Sequence, residues 1–353
     1  MLKAVLILIV LLGSIAATGP GVYAAAPETS SLRSLAGAQG FYMGAAVAVP
    51  PLQSNALYGA TLSREYNMVV PENVMKMGPL RPSRTTFDFS AADRLVAFAR
   101  ANGMAVRGHN LVWHQQLPGW LTGGQFSRAE LLDILQQHIS TVVGHYQGQI
   151  TAWDVVNEAV GDNGQLRSSP WLSGIGPEYI ADAFRWAHAA DPKALLFYND
   201  YGGEGLGFKS DAIYELVRSL KAQGVPIDGV GLQMHVGIDH PPSAAAVRAN
   251  IARLGALGLQ VHITEMDVQI QNGSGSPAAR LNAQAAVYRQ MLSVCRETKV
   301  CTAFLTWGFS DQYSWIPDFT HHADAPLPFD STYAPKPAYW AMRGVLSHYT
   351  DYF

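Results

Sequence analysis

Cysteine is nearly absent from this chain: its 353 residues include two, Cys295 and Cys301. Two cysteines build neither a disulfide-stapled mini-fold nor a four-cysteine zinc site, so stability has to come from a hydrophobic core. Charge is also sparse. Only 14% of residues are charged, 24 basic against 27 acidic, and no run of either sign occurs. That excludes the basic footprint of a nucleic-acid binder and the acidic tail of a disordered segment. Beyond Leu12 no apolar stretch reaches the length of about 20 residues that a bilayer-spanning helix needs. Internal repeats and low-complexity linkers are absent as well, so nothing marks a second module.

What is present is an apolar, globular composition, 48% hydrophobic with 8 Trp, 15 Tyr and 13 Phe. The N-terminus has the plan of a secretory signal. Lys3 precedes the apolar run Ala4 to Leu12, which breaks at Gly13-Ser14, and Ala24-Ala25-Ala26 offers a small-residue cleavage site. Residues 1–26 are therefore expected to be removed on export, leaving a secreted protein, extracellular or periplasmic, with no membrane attachment. In an exported chain an isolated close cysteine pair predicts a Cys295–Cys301 disulfide rather than free thiols.

Residues 27–39 are small and polar and read as a lead-in, either a short helix or a loosely ordered segment. From residue 40 to 353, strand-like and helix-like patterns alternate. The strand candidates are Phe41–Val47, Met68–Val70, Ala105–His109, Thr151–Val156, Leu195–Tyr198, Gly229–Leu232, Val261–Thr264 and Thr302–Thr306. Amphipathic helices are expected at Ala91–Asn102, Ser127–Gly144, Gly176–Ala190, Lys209–Gln223, Ser243–Leu257 and Ser276–Glu297, the second opened by a Ser127-Arg-Ala-Glu130 capping box. Eight strand–helix units predict a single-domain α/β fold, the (β/α)8 TIM barrel.

Such barrels carry their chemistry at the C-terminal ends of the strands. Polar and aromatic residues collect there in this chain. Two strand ends carry glutamates: Trp153-Asp-Val-Val-Asn-Glu158 and Val261-His-Ile-Thr-Glu265. Two carboxyl groups facing each other across a pocket are the minimum for glycosidic cleavage. As the acid, Glu158 must hold a proton until substrate binds, so an apolar wall or the charge of Glu265 is expected to raise its pKa. Glu265 and Asp267 are two apart and share a strand face, and Gln233-Met-His235 ends the preceding strand. His235 bridging Glu265 and Asp267 would keep the nucleophile ionised. The rival reading makes all of these rim charges.

His109 and Trp113 are four apart and are expected on one face, with His114 turned away. A metal is not expected, because the His-x-His spacing of barrel metallohydrolases is missing. Sugars present apolar faces and polar rims. Trp113, Trp307, Trp315 and Tyr201 can supply the first kind of contact, and Asn73, Lys76, Gln116, Asn199 and Gln233 the second.

Taken together, Glu72-Asn-Val-Met-Lys76, Gly108-His-Asn-Leu-Val-Trp-His114 with Gln116-Leu-Pro118, Trp153 to Glu158, Tyr198-Asn-Asp-Tyr201, Gln233-Met-His235, Ile263 to Asp267, Thr306-Trp-Gly308, Tyr313-Ser-Trp315 and Pro335-Lys-Pro-Ala-Tyr339 resemble glycoside hydrolase family 10 endo-β-1,4-xylanases. The resemblance spans roughly residues 40–347 and implies the same barrel fold. It implies that Glu158 is the acid/base, Glu265 the nucleophile, and Asn157 the partner of the sugar 2-hydroxyl, with His235 and Asp267 orienting Glu265. His109, Trp113 and Trp307 would line the non-reducing side of the scissile bond. Glu72, Asn73, Lys76 and Gln116 would hold the next xylose, and Tyr201 would stack on the leaving-group side. The Cys295/Cys301 spacing also resembles a bridge frequent in that family.

The implied activity is endo-hydrolysis of xylan and xylo-oligosaccharides with retention of configuration, by a monomer with no cofactor and no metal. Departures from the family pattern fall at the rim: Met77 in place of a common Trp, Gln312 in place of a frequent basic residue, and the segment Ile316–Phe329. A barrel β-1,4-glucanase or mannanase, and a non-catalytic sugar-binding barrel, are the rival readings.

Overall fold

The computed structural model describes residues 30–350, so the expected signal segment, residues 1–26, lies outside the described residues. Nine parallel strands occur among them: β1 Tyr42–Val47, β2 Met68–Pro71, β3 Ala105–Val112, β4 Ala152–Asn157, β5 Leu195–Asp200, β6 Gly229–Leu232, β7 His235–Gly237, β8 Gln260–Gln269 and β9 Cys301–Thr306. Their order is β6-β5-β4-β3-β2-β1-β9-β8-β7, and β6 also pairs with β8. That pairing, with Leu232 opposite Ile263, closes eight strands into the (β/α)8 barrel expected from the alternation. The ninth, β7, is a short addition at the mouth that pairs with β8, His235 opposite Asp267.

The strands form because short β-branched runs are buried on both faces, as parallel sheets require. Inside the barrel, Met68 and Val70 of β2 alternate inward, as do Ala303 and Leu305 of β9. With Ala46 they pack beneath Trp307 and form the floor of the mouth. The outer core contains Trp153, Phe184 and Tyr288 among many buried apolar residues.

The helices follow their expected positions within a few residues. Arg128–His145 carries the capping box at Ser127 and Glu130 as its sequence demands. The helix expected from Gly176 begins instead at Tyr179. A separate short helix, Pro170–Ile175, ends at Gly176, whose φ of 107° breaks the path between the two.

The lead-in belongs to the barrel. Leu32–Gly37 is helical, Ser31 caps it, and Leu32 and Ala36 are fully buried. Among the described residues, the chain from Ser31 onward forms one compact unit. The Cys295–Cys301 disulfide is formed and joins the end of the helix Pro277–Glu297 to the start of β9. No helix among the described residues is long and apolar enough to cross a membrane.

Candidate active site

The two glutamates reach the mouth by different local devices. Glu158 follows the last residue of β4 with φ 55°, in the left-handed region. In a regular strand, neighbours Asn157 and Glu158 would point to opposite faces. Leaving the β-region at Glu158 turns both side chains into one cleft. Such a conformation in a non-glycine residue costs free energy and persists where the surroundings hold it. Here the Glu158 N–H donates to the Asn199 carbonyl at 2.8 Å. Its carboxylate accepts from Trp113 Nε1 at 2.9 Å and from Gln233 Nε2 at 2.9 Å. Register also shifts in β4 between Asp154 and Val156, in β3 between His109 and Val112, and in β8 between Ile263 and Met266. Irregularities of this kind re-aim side chains, and these three flank the site residues.

Glu265 lies within β8, which runs on to Gln269 rather than ending at Thr264. One carboxylate oxygen accepts from Asn199 Nδ2 at 2.7 Å and the other meets His235 Nε2 at 3.1 Å. His235 Nδ1 lies 2.9 Å from Asp267, which also accepts from Trp315 Nε1 at 2.8 Å. The expected Glu265–His235–Asp267 bridge is therefore present. It depends on β7, because only that added strand brings His235 level with Asp267.

Burial works against charge on His235, but the charge of Asp267, its hydrogen bond and the contact with Glu265 outweigh it. The imidazole is raised well above its usual 6.5. For Glu265, burial pushes the pKa up. The His235 hydrogen bond, with the charges of His109 and His235, more than reverses this and holds the carboxyl below its usual 4.5. An imidazolium clamped between two carboxylates thus keeps one of them ionised.

The depressed Glu265 value sets an expected pH effect. With Glu265 as the reactive carboxylate, the acid limb of kcat/KM is expected below the ordinary carboxylate range. In His235→Asn the stabilising cation is gone, burial acts with less opposition, and the acid limb moves to higher pH. A pH profile of kcat/KM with an unmoved acid limb would contradict this assignment.

Asn199, expected as a sugar partner, is not in the cleft wall. It is fully buried beneath the two acids, donating to Asn157 Oδ1 at 2.8 Å as well as to Glu265. Thr264 Oγ1 donates to its carbonyl oxygen at 2.7 Å. Gly231 makes the room: a Cβ there would stand 2.1 Å from Asn199 Oδ1. Asn199 is a positioning residue, which strand periodicity alone does not separate from a ligand. Because Asn157 Oδ1 accepts from Asn199 and, at 3.4 Å, from Gln233, its NH2 is the end left to donate to a sugar hydroxyl.

The cleft encloses about 690 Å³, and its walls include the expected Glu72, Asn73, Lys76, His109, Trp113 and Gln116 on one side. Lys76 Nζ donates to Asn73 Oδ1 at 3.1 Å and lies 4.8 Å from the Trp113 ring centroid. Burial lowers the Lys76 pKa against the pull of Glu265, Glu72 and Glu158, and burial raises that of Glu72. On the other side Tyr201 accepts from Arg167 at 2.9 Å and donates to Asp162 at 3.2 Å. Lys209 Nζ sits 3.4 Å from the Tyr201 ring centroid. Gln233, Trp307 and Trp315 complete the expected lining.

His114 lines the cleft too, contrary to the expectation that it turns away. Strand β3 ends at Val112, so alternation no longer governs Trp113 and His114. Arg167, Gln269 and Phe319 join the lining without any sequence pattern that singles them out. Two supports beneath the cleft are likewise outside the motifs. Asp154 Oδ2 holds His109 Nδ1 at 3.0 Å, and Arg107 holds Asp154 from below. Burial opposes the Asp154 charge, but Arg107 and His109 more than offset it and keep its carboxyl below the usual range. Glu204 accepts from the N–H of Met234, which has φ 68°, and so supports the turn between β6 and β7. A signal is present in the Asp154 case: an acid in the middle of a buried strand needs a partner. Among the described residues no group of three His, Cys, Asp or Glu side chains is arranged to hold a metal.

Comparison with known proteins agrees with this geometry. Endo-1,4-beta-xylanase B of Thermotoga neapolitana is 46% identical over 292 residues, covering 82% of this chain and 83% of that protein. Exoglucanase XynX of Acetivibrio thermocellus is 42% identical over 315 residues, 86% of this chain but 28% of that protein, so the chain spans little more than a quarter of its length. The crystal structure of xylanase 10B from Thermotoga petrophila RKU-1 in complex with xylobiose superposes with a TM-score of 0.88 at 44% identity, covering 90% of this chain and 98% of that one. Residues 31–345 match the family model described as Glycosyl hydrolase family 10, and the chain belongs to that family.

Proposed function

We propose that this protein is an endo-1,4-β-xylanase that cleaves internal linkages of xylan and xylo-oligosaccharides with retention, through a covalent glycosyl-enzyme. One observation carries the mechanism: the two glutamates sit in one cleft with opposite hydrogen-bonding regimes. Glu265 is gripped by a cation and an amide, which suits a carboxylate that must attack the sugar carbon. Glu158 is held by two neutral donors, Trp113 and Gln233, with no cation among the described residues bound to its carboxyl oxygens, which suits a group that must give and take a proton.

In the first step Glu265 attacks the anomeric carbon while Glu158 protonates the departing oxygen. In the second, Glu158 takes a proton from water, which attacks the anomeric carbon from the face the leaving group vacated and displaces Glu265 on the opposite side. Asn157 donates to the 2-hydroxyl and orients it, and hydrogen bonds at that hydroxyl strengthen in the transition state. The similarity to a xylanase solved with xylobiose supports the substrate. The similarity to a protein named exoglucanase makes glucan the comparison to run.

The test is hydrolysis of xylotetraose followed by proton NMR, with carboxymethyl-cellulose and mannan in parallel. The β-anomer of the new reducing end is expected first, and xylan is expected to be hydrolysed far faster than the other two polymers. First appearance of the α-anomer would sink the retaining mechanism, and faster glucan cleavage the substrate.

The same proposal has the chain exported, free of the membrane once residues 1–26 are removed, and active as a monomer. The apolar run Ala4 to Leu12 behind Lys3 supports export, as does the Cys295–Cys301 bridge, since disulfides persist in oxidising compartments.

A further inference from the structure

A second groove of about 600 Å³ opens beside the catalytic cleft and shares Glu72, Trp315 and Phe319 with it, so the two are continuous. Phe319 stands at the junction. It is 68% exposed, as exposed as any large apolar side chain among the described residues. Singly exposed apolar side chains are ordinary, and Phe208 is as exposed; what sets Phe319 apart is its place where the catalytic cleft opens into the second groove.

The ring is nevertheless held. It lies in the short helix Ile316–Thr320, anchored by fully buried Ile316, and its N–H donates to the Trp315 carbonyl at 3.0 Å. Four residues apart on a helix, Trp315 and Phe319 share a side. Their centroids are 4.8 Å apart and their planes tilted by 42°. Trp315 in turn is fixed to Asp267 beside the nucleophile. An aromatic shelf therefore runs outward from the reacting centre, past Glu72. Along the groove, exposed Gln312 and Asp318 offer an amide and a carboxylate.

We propose that Phe319 is the platform of an outer subsite, which takes the third xylosyl residue on the non-reducing side of the cleaved bond. The proposal rests on the endo-xylanase reading above. The sugar's apolar face lies on the Phe319 ring, and its hydroxyl edge meets Gln312 and Asp318. These residues belong to the stretch where the chain departs from the family pattern, so the subsite is a property of this chain's own β9 loop.

The experiment compares kcat/KM for an aryl β-xylotrioside and the matching aryl β-xylobioside. Only the trioside reaches the third position. The wild type is expected to prefer the trioside by roughly 2- to 10-fold, the scale of one aromatic contact. Phe319→Ala brings the ratio close to one, and Phe319→Trp keeps or raises it. An unchanged ratio in Phe319→Ala, or an equal loss on both substrates, overturns the subsite. So does a wild-type ratio of one in an enzyme that cleaves both. A wild type that cleaves neither aryl xyloside overturns the endo-xylanase reading itself, and the subsite with it.

Discussion

Glu265→Ala lowers kcat on xylan by at least ~10⁴-fold, the scale expected when a covalent nucleophile is deleted. The fold itself survives, because the substitution removes a carboxylate from a site that opens on the cleft and leaves His235 paired with Asp267 at 2.9 Å. Reducing-sugar release measures the loss. A small anion adds a sharper criterion. With the side chain gone, azide fits the vacated face and attacks an activated aryl xylobioside directly, so the product is the α-xylobiosyl azide, inverted once. A β-xylobiosyl azide from this variant, or near-normal turnover of xylan, would sink the nucleophile assignment.

Glu158→Ala has the second-largest effect, and it depends on the leaving group. General acid catalysis contributes about 10²- to 10⁴-fold, so xylan and xylo-oligosaccharides, whose leaving oxygens need a proton, lose about that much. An aryl xylobioside with an acidic phenol needs little help to depart. Its glycosyl-enzyme forms at close to the normal rate and then waits, because no base activates water. A burst of phenol followed by slow turnover is expected. Azide needs no base and accelerates the second step, giving the β-xylobiosyl azide. Equal losses on aryl and natural substrates, with no burst, would remove Glu158 from the acid/base role. The two variants thus yield azides of opposite configuration, so exchanging the two assignments would reverse both results.

Both experiments test roles that short stretches of sequence already suggest. The strand-end glutamates, Asn157 beside Glu158, and the Gln233-Met-His235 and Glu265-Met-Asp267 pairs are short-range patterns, readable because side-chain alternation in a strand is a local property. Where sequence and structure differ, the causes are also local. Alternation turns His114 away only if it continues past Val112, and β3 stops there. Asn199 reads as a sugar contact because a polar residue at a strand end looks the same in sequence whether it lies above or below the cleft floor. The helix predicted from Gly176 starts at Tyr179 because that glycine's positive φ serves the end of a preceding helix.

By itself, then, the chain's order of residues determines the alternation of strands and helices, the count of eight, the chemical types at the mouth and the family to which they belong. Each of these is encoded within a span of a few to twenty residues. Tertiary structure alone decides how those spans meet. The β6–β8 pairing closes the barrel, and β7 sets His235 level with Asp267. Asn199 slips beneath both acids in space that Gly231 leaves empty. A positive φ swings Glu158 to the same side as Asn157. These outcomes depend on contacts between residues tens of positions apart, where packing and buried hydrogen bonds outweigh local preference. The different surroundings of two glutamates of the same type therefore arise only when the barrel closes around them.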